Sequence, residues 1–218
     1  MNYTELVAEI QSYVENQFTT TDINTFIQQA EQRVYNTVQL PAFRKNVTGT
    51  LTIGNSYLSV PTDWLATFSL AVITAAGEYQ YLLNKDVNFI RQAYPNPNED
   101  KAIPKYYALF GPRSDNPAEL TFILGPTPDA AYGAELHYFF YPPSITVAPY
   151  TSWLGDNFDP VLLYASLVEA YTFMKGEADM MTLYNQKFME ALALAKRLGD
   201  GLERQDAYRS GQFRQAVT

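Results

Sequence analysis

The chain has 218 residues, no cysteine, a single histidine and a formal charge of −8, with a pI near 4.6. Disulfides, thiol nucleophiles and Cys-type or multi-His metal sites are thereby excluded, and the acidity argues against gripping a polyanion by bulk charge. A chain of this length buries roughly 70% of its unfolded surface, enough for one large domain or two small ones without a covalent staple.

No apolar run approaches the 18 or so residues that cross a bilayer. Met1 leads straight into "NYTELVAEI", with no basic region or cleavage site, so a standard secretion signal is not expected. Seventeen Tyr stand against two Trp, and charged residues make up 17% of the chain, below the usual quarter. Tyrosine joins a large ring to a polar tip. It suits a β core or an extensive subunit interface equally well.

Residues 4–16, "TELVAEIQSYVEN", place Leu6, Ile10, Tyr13 and Val14 on one helical face. Residues 22–38 repeat the pattern with Ile23, Phe26, Ile27, Ala30 and Val34. "TTTD" supplies the N-cap with Asp22 in or near the first turn, and Pro41 stops the helix.

From about 47 to 148 the period shortens to two. "TLTIGNSYLSV" alternates on either side of Gly54-Asn55 and predicts a hairpin. "ATFSLAVITAAGEYQYLL" predicts two strands about Gly77. "DVNFIRQAY" predicts a short helix capped by Asp86, with Phe89, Ile90 and Ala93 inward. "PKYYALFG", "ELTFIL" and "AELHYFFY" are three further strands. Short strands at this spacing predict an antiparallel sheet or small sandwich.

"PVLLYASLVEAYTFMKGE", 160–177, restores the helical period. Asp159 is the expected N-cap, with Pro160 at the first helical position. Only Glu169 is charged in the first fifteen residues, so this helix must be covered on most of its circumference. A last helix, about 179–198, carries Met180, Leu183, Tyr184, Phe188, Ala191, Leu192 and Ala195 inward, and Gly199 and Gly201 are expected to end it.

The predicted fold is therefore α+β. N-terminal and C-terminal helix pairs (1–45 and 150–198) form a helical bundle, an antiparallel β domain (46–149) is inserted between them, and an extended C-terminal tail (199–218) follows. In that tail Leu202, Tyr208, Phe213 and Val217 are too sparse for a core. With Arg204, Arg209 and Arg214 they offer aromatic and cationic anchors for a partner. The bland alternative is a frayed terminus.

Chemistry-bearing patterns are few. His137 lies in a predicted strand, where a lone histidine is ordinarily a packed or surface residue. There is no GxSxG, Walker loop or GxGxxG. The acid pairs in "EAD" (177–179) and "NED" (98–100) read as a helix start and a solvated loop. "FRK" (43–45) and "KR" (196–197) lack the aromatic interleaving of a single-strand groove. No enzyme and no cofactor is expected.

The stretches "YTELVAEIQSYVEN", "FTTTDINTFIQQAEQRVYNTVQLPAFR", "LSVPTDWL", "IPKYYALFG", "ELTFILGPTPDAAYGAELHYFFYPP" and "TSWLGDNFDPVLLYASLVEAYTFMKGEADMMTLYNQKFMEAL", in this order and spacing, resemble the head-to-tail adaptors of short-tailed bacteriophages, also called tail tubular protein A or head-closure proteins. The likeness covers about residues 3–198. It implies a structural virion protein assembled in the host cytoplasm, with no membrane association. A dodecameric homo-oligomeric ring would join the portal protein to the tail nozzle protein, sometimes carry tail fibres, and continue the channel through which DNA passes without sequence preference. An acidic lumen would let DNA slide, within about 8 Å of screening at physiological salt.

By position and composition the resemblance also implies that the tail reaches the portal, with Leu202, Arg204, Tyr208, Arg209, Phe213 and Arg214 as portal-binding residues. Two alternatives remain. One is another tail or completion component of the virion. The other is a carbohydrate-binding β module that stacks sugars on Trp64 and Trp153, although each indole sits near a turn beside a predicted packed element.

Overall fold

The structure, a computed structural model, describes residues 1–38, 40–111 and 120–210, with side chains described through Gly199. Among the described residues the fold is α+β, with six α-helices and two sheets. The chain divides into two compact units, Met1–Phe43 with Tyr141–Thr218, and Arg44–Phe140.

The first unit is helical. α1 (Tyr3–Val14) starts in a capping box, in which Asn2 Oδ1 accepts the Glu5 N–H and Glu5 returns to the Asn2 N–H. α2 (Thr20–Thr37) is capped by Thr19, whose hydroxyl oxygen accepts the Asp22 N–H. Of the expected apolar stripes, Leu6, Ile10 and Val14 on α1 and Ile23, Phe26, Ile27, Ala30 and Val34 on α2 are buried, whereas Tyr13, expected on the same α1 face, is exposed at its edge. A 3₁₀ turn at Pro41–Phe43 follows.

After the second unit the chain returns through α4 (Trp153–Asn157), α5 (Asp159–Met174) and α6 (Ala178–Ser210). α5 packs against α1, α2, α4 and α6. Val161, Leu162, Leu163, Ala165, Leu167, Val168 and Ala170 are buried along it. Leu6, Ile10, Ile23, Phe26, Ile27, Leu162, Leu167 and Tyr184 share one cluster, so both ends of the chain contribute to a single core. The one buried hydroxyl on α5, Ser166, donates back to the Leu162 carbonyl at 2.8 Å, which satisfies it without a partner helix.

Two expectations at the ends of these helices are corrected. Asp159 is not the N-cap of α5. Phe158 holds that position without a side-chain cap, and Asp159 opens the first turn, where its charge still faces the positive end of the helix dipole. Gly199 and Gly201 do not end α6, and the stretch expected to be an extended tail from 199 is helical to Ser210. An interior Gly costs only about 1 kcal/mol relative to Ala. A nucleated helix with Leu, Glu, Arg and Gln beyond it propagates through two of them.

The second unit is a sandwich of two four-stranded sheets. One has the order β1 (Arg44–Thr50), β8 (Gly133–Phe140), β3 (Trp64–Ile73), β4 (Tyr79–Tyr81), all antiparallel. The other has the order β2 (Tyr57–Ser59), β7 (Thr121–Gly125), β6 (Tyr106–Phe110), β5 (Leu83–Asn84), in which β5 and β6 run parallel. Leu70, Val72, Leu136 and Tyr138 from the first sheet meet Tyr107, Phe122 and Leu124 from the second.

The hairpin predicted at Gly54-Asn55 does not form. β1 pairs with β8 and β2 with β7, so the segment is a corner between sheets. Gly54, at φ 74°, makes the bend, and its N–H donates to the Pro128 carbonyl. Alternation with a central turn is the same pattern in both cases, because the partner of each strand is set by distant residues. α3 (Val87–Ala93) starts at Asp86 as predicted, but only Ile90 is buried, against Ala108 and Ile123. Phe89 and Ala93, expected inward, are exposed, since a two-turn helix lying on a sheet buries a single line of contact.

The α5 core sets a stability prediction. Leu167→Ala is expected to lose about 2–5 kcal/mol by cavity formation, whereas Leu194→Ala, at a position 59% exposed, stays within about 0.5 kcal/mol. Urea unfolding of the two variants checks this.

Candidate interaction surfaces

The polar groups of the helical unit hold the returning chain to α2. Glu31 is 2% exposed and accepts the Ile145 N–H at 2.9 Å. Burial pushes its carboxyl above the ordinary range, only partly offset by hydrogen bonds from Ile145 and Ser144. Burial also pushes the Tyr35 phenol up, with the Glu31 charge adding to it. Around this point Gln28 Nε2 donates to Thr146 Oγ1 at 3.1 Å and Tyr141 donates to Asn36 Oδ1 at 2.7 Å. Glu169, the lone charge in the middle of α5, is met by Arg33 of α2, and the Arg33 guanidinium also lies over the Phe188 ring at 5.9 Å.

The expected chemical candidates resolve into structural roles. On the face of the first sheet away from the sandwich core, the β3–β8 register sets Ser69 opposite His137. Ser69 Oγ is 3.4 Å from His137 Nδ1, and Glu135 Oε1 is 4.0 Å from Nε2. This Ser–His–Glu neighbourhood was not legible in the sequence, because register created it. The carboxylate lies beyond hydrogen-bond reach and so does not fix the ring tautomer as a catalytic triad requires. Asp100 closes its own loop by accepting the Asn96 N–H, and Asp179 sits in the first turn of α6. Among the described residues no group of three or more His, Asp or Glu is placed to hold a metal ion.

The two indoles are packed within their own units. Trp64 donates to Thr67 Oγ1 at 3.2 Å and meets the Phe122 edge, and Trp153 lies between Phe43 and Phe158. Lys45 Nζ and the Tyr138 hydroxyl both reach Asp63, at 2.7 and 2.9 Å. Burial alone would raise that carboxyl, but these two donors hold it below the ordinary range. Tyr138 is pushed up to about 12, by burial and by the Asp63 charge.

The remaining features are surfaces. In the second unit Tyr79, Tyr81 and Leu83 are exposed in alternation through the β4–β5 segment, Tyr81 by 65%. At one end of the helical unit Phe18, Phe26 and Phe173 pack ring to ring at 5.2–6.2 Å, with Phe173 exposed. Beside them Tyr13, Tyr164 and Tyr171 surround Tyr184, whose phenol is pushed up to about 12 by burial and by its hydrogen bond with Tyr171.

On α6 the buried stripe is Tyr184, Phe188, Leu192 and Ala195, while Leu183, Leu194 and Leu198 form a second, exposed stripe. Leu183 was expected inward. Its spacing to Leu194 and Leu198, eleven and fifteen residues, already puts it with them, about a quarter-turn off the buried line.

Of the predicted portal-binding residues, Leu202, Arg204, Tyr208 and Arg209 fall on the helical backbone of α6, and their side chains lie outside the described residues. Phe213 and Arg214 lie outside the described residues altogether.

Glu31 gives a prediction with a definite sign. Its folded pKa is raised above the ordinary 4.5. The folded state therefore holds the proton more tightly, and stability falls as pH rises from about 4.5 through the raised value, then levels. Glu31→Gln keeps an acceptor for Ile145 and is expected to remove this fall, leaving stability at pH 7 equal or higher. Glu31→Ala strands a buried N–H and loses about 1–3 kcal/mol. Urea midpoints between pH 4 and 8 check both.

No curated protein matches the chain. The family described as SU10 adaptor protein matches residues 1–215, and no helix among the described residues is long and apolar enough to cross a membrane. With all but the last three residues matched, this chain belongs to the SU10 adaptor protein family.

Proposed function

We propose that this structural adaptor of a bacteriophage virion assembles as a dodecameric ring beneath the portal, joins it to the tail nozzle and continues the DNA channel. The observation that carries the reading is the adaptor-family match across residues 1–215. The exposed surfaces support it. A leucine stripe on α6, a phenylalanine cluster at one end of the helical unit and a tyrosine edge on the sandwich are three different patches. A subunit that meets unlike neighbours needs unlike faces, and contacts between unlike faces of identical subunits close into rings.

The portal contact is assigned to the last turns of α6 and the residues after it, through Leu202, Arg204, Tyr208, Arg209, Phe213 and Arg214. α6 spans 33 residues against 16 in α5. At 1.5 Å per residue it is about 50 Å long, and its buried stripe runs as far as Ala195, so the helix continues about 20 Å past the last buried side chain among the described residues. Such an overhang can carry Arg and aromatic anchors away from the helical core.

Electron microscopy of the full chain mixed with isolated portal rings tests the reading, with a continuous ring of adaptor density on the portal expected. A chain truncated after Leu202 is expected to keep its unfolding midpoint, to lose only the helical circular dichroism of the eight α6 residues removed, and to lose portal binding. Undiminished docking by the truncated chain removes the tail from the portal contact, and no docking by the full chain removes the portal reading itself.

A further inference from the structure

We infer that the exposed leucine face of α6 is a subunit–subunit contact, and that its occupant is the outward face of α1 from a second copy of this chain. This rests on the self-assembling adaptor reading and deepens it by naming the two faces that meet.

The α6 face consists of Leu183, Leu194 and Leu198, all exposed, with the Lys187–Glu190 ion pair between the first two and Arg197 beside the last two. Within one copy the other side of α6 is already packed, through Tyr184, Phe188 and Leu192. The outward face of α1 consists of Glu5, Ala8, Glu9 and Ser12, all exposed, with Tyr13 at its edge against Tyr184 of the same chain. Its inward face, Leu6, Ile10 and Val14, lies in the core that α5 also fills. Both outward faces are thus left open when a single chain has folded, so a contact between them joins two copies.

Charge complementarity selects this pairing. The outward face of α1 carries Glu5 and Glu9 and no Lys or Arg. The leucine face of α6 carries Lys187 and Arg197, with Glu190 as its one acid. Lys187 is engaged by Glu190 at 3.1 Å, whereas Arg197 and Glu9 have no ion-pair partner among the described residues.

Shape agrees with charge. Ala8 and Ser12, one turn apart, form a shallow line flanked by Glu5, Glu9 and Tyr13, into which a leucine ridge fits at the 8–10 Å spacing of packed helices. Twelve residues of α1 span about 18 Å and the stretch 183–198 about 24 Å, so the α1 face fits within the length of the α6 face. The two faces differ, so each copy offers one and accepts the other, which leads to a ring or an open chain. One helix pair falls below the roughly 1,200 Å² of a standard stable interface. The contact is therefore weak in isolation and strengthened by closure.

The chain has no cysteine, which allows a clean trap. Full-length Ala8→Cys, which keeps Glu9, and full-length Leu198→Cys are mixed at high concentration and low salt and oxidised. The control replaces Leu198→Cys by Met189→Cys, on a different face of α6. A disulfide heterodimer through positions 8 and 198 is expected at on the order of ten times the control yield, falling steeply as added salt screens the charge pairing. Adding Arg197→Glu to the Leu198→Cys chain is expected to cut the yield by about tenfold, and adding Glu9→Arg to the Ala8→Cys chain is expected to restore it.

A yield equal to the control overturns the inference. If electron microscopy then shows rings on the portal, only the assignment of faces has failed. If the chain neither cross-links nor forms rings, the adaptor-ring reading fails with it. A leucine face protected only by a portal or nozzle ring, with no bond between copies, assigns that face to a different protein and also overturns the inference.

Discussion

A helix that is apolar on nearly every side has to be wrapped, and the wrapping of α5 is the constraint on which the helical unit depends. Its seven buried aliphatic residues cover most of its circumference, so α1, α2, α4 and α6 are all recruited to it. Two of those helices come from the start of the chain and two from the end. Burying α5 therefore closes a sequence separation of more than a hundred residues, at a cost in loop entropy that grows only slowly with length. The insertion of Arg44–Phe140 as a separate compact unit is tolerated for the same reason. Two polar groups in the middle of α5 follow the rule for buried polarity. The Ser166 hydroxyl turns onto its own backbone, and the Glu169 carboxylate is met by Arg33.

The return path after the sandwich is fixed by α2. Ile145 is fully buried, and its N–H ends on the Glu31 carboxylate, inside a short run of side-chain bonds from Gln28 and Asn36 to Thr146 and Tyr141. A carboxylate is an unusual choice for so dry a place, because desolvation disfavours its charge. It offers two oxygens where a loop with no regular structure has N–H groups and hydroxyls to satisfy. At the other end of the segment the Tyr3 N–H donates to the Tyr150 carbonyl, and the N-terminal ammonium reaches the Gly155 carbonyl. Gly155 has no room for a side chain, since a Cβ there would collide with the Met1 carbonyl oxygen. The start of α1 is thereby tied to the same loop that α2 grips.

The sequence announced the elements better than their partners. The stripes on α1 and α2, the Asp86 cap of α3 and the strands about Gly77 were all legible, because each depends on neighbours within a few residues. The corner at Gly54 was not, because β1 and β2 find their partners more than sixty residues away. The Ser69–His137 pair was illegible for the same reason. The glycines of α6 misled in another way, since a local penalty of about 1 kcal/mol is small beside the continuity of a 33-residue helix. Of the candidate surfaces, the second stripe on α6 was visible in the spacing of Leu183, Leu194 and Leu198. Leu183 was grouped with the core because apolar residues are assigned inward by default, and only the burial of Tyr184 and Phe188 shows that a different face of the helix is already used.

The unused face matters because this chain is sparing with charge. At 17% charged and 47% hydrophobic residues, it cannot cover a folded surface with Lys, Arg, Asp and Glu alone, and tyrosine and leucine take up part of that surface. A monomer built in this way carries apolar patches that a permanently solitary protein would be expected to break up with charges. Here the charges are segregated instead, with acids along the first 32 residues and most of the C-terminal cations from Lys187 onward. Segregation of this kind opposes the pairing of like faces and favours the pairing of unlike ones. An isologous dimer through α1 would set Glu5 and Glu9 against their own copies, and one through α6 would do the same with Arg197. The proposed head-to-tail contact relieves both repulsions at once.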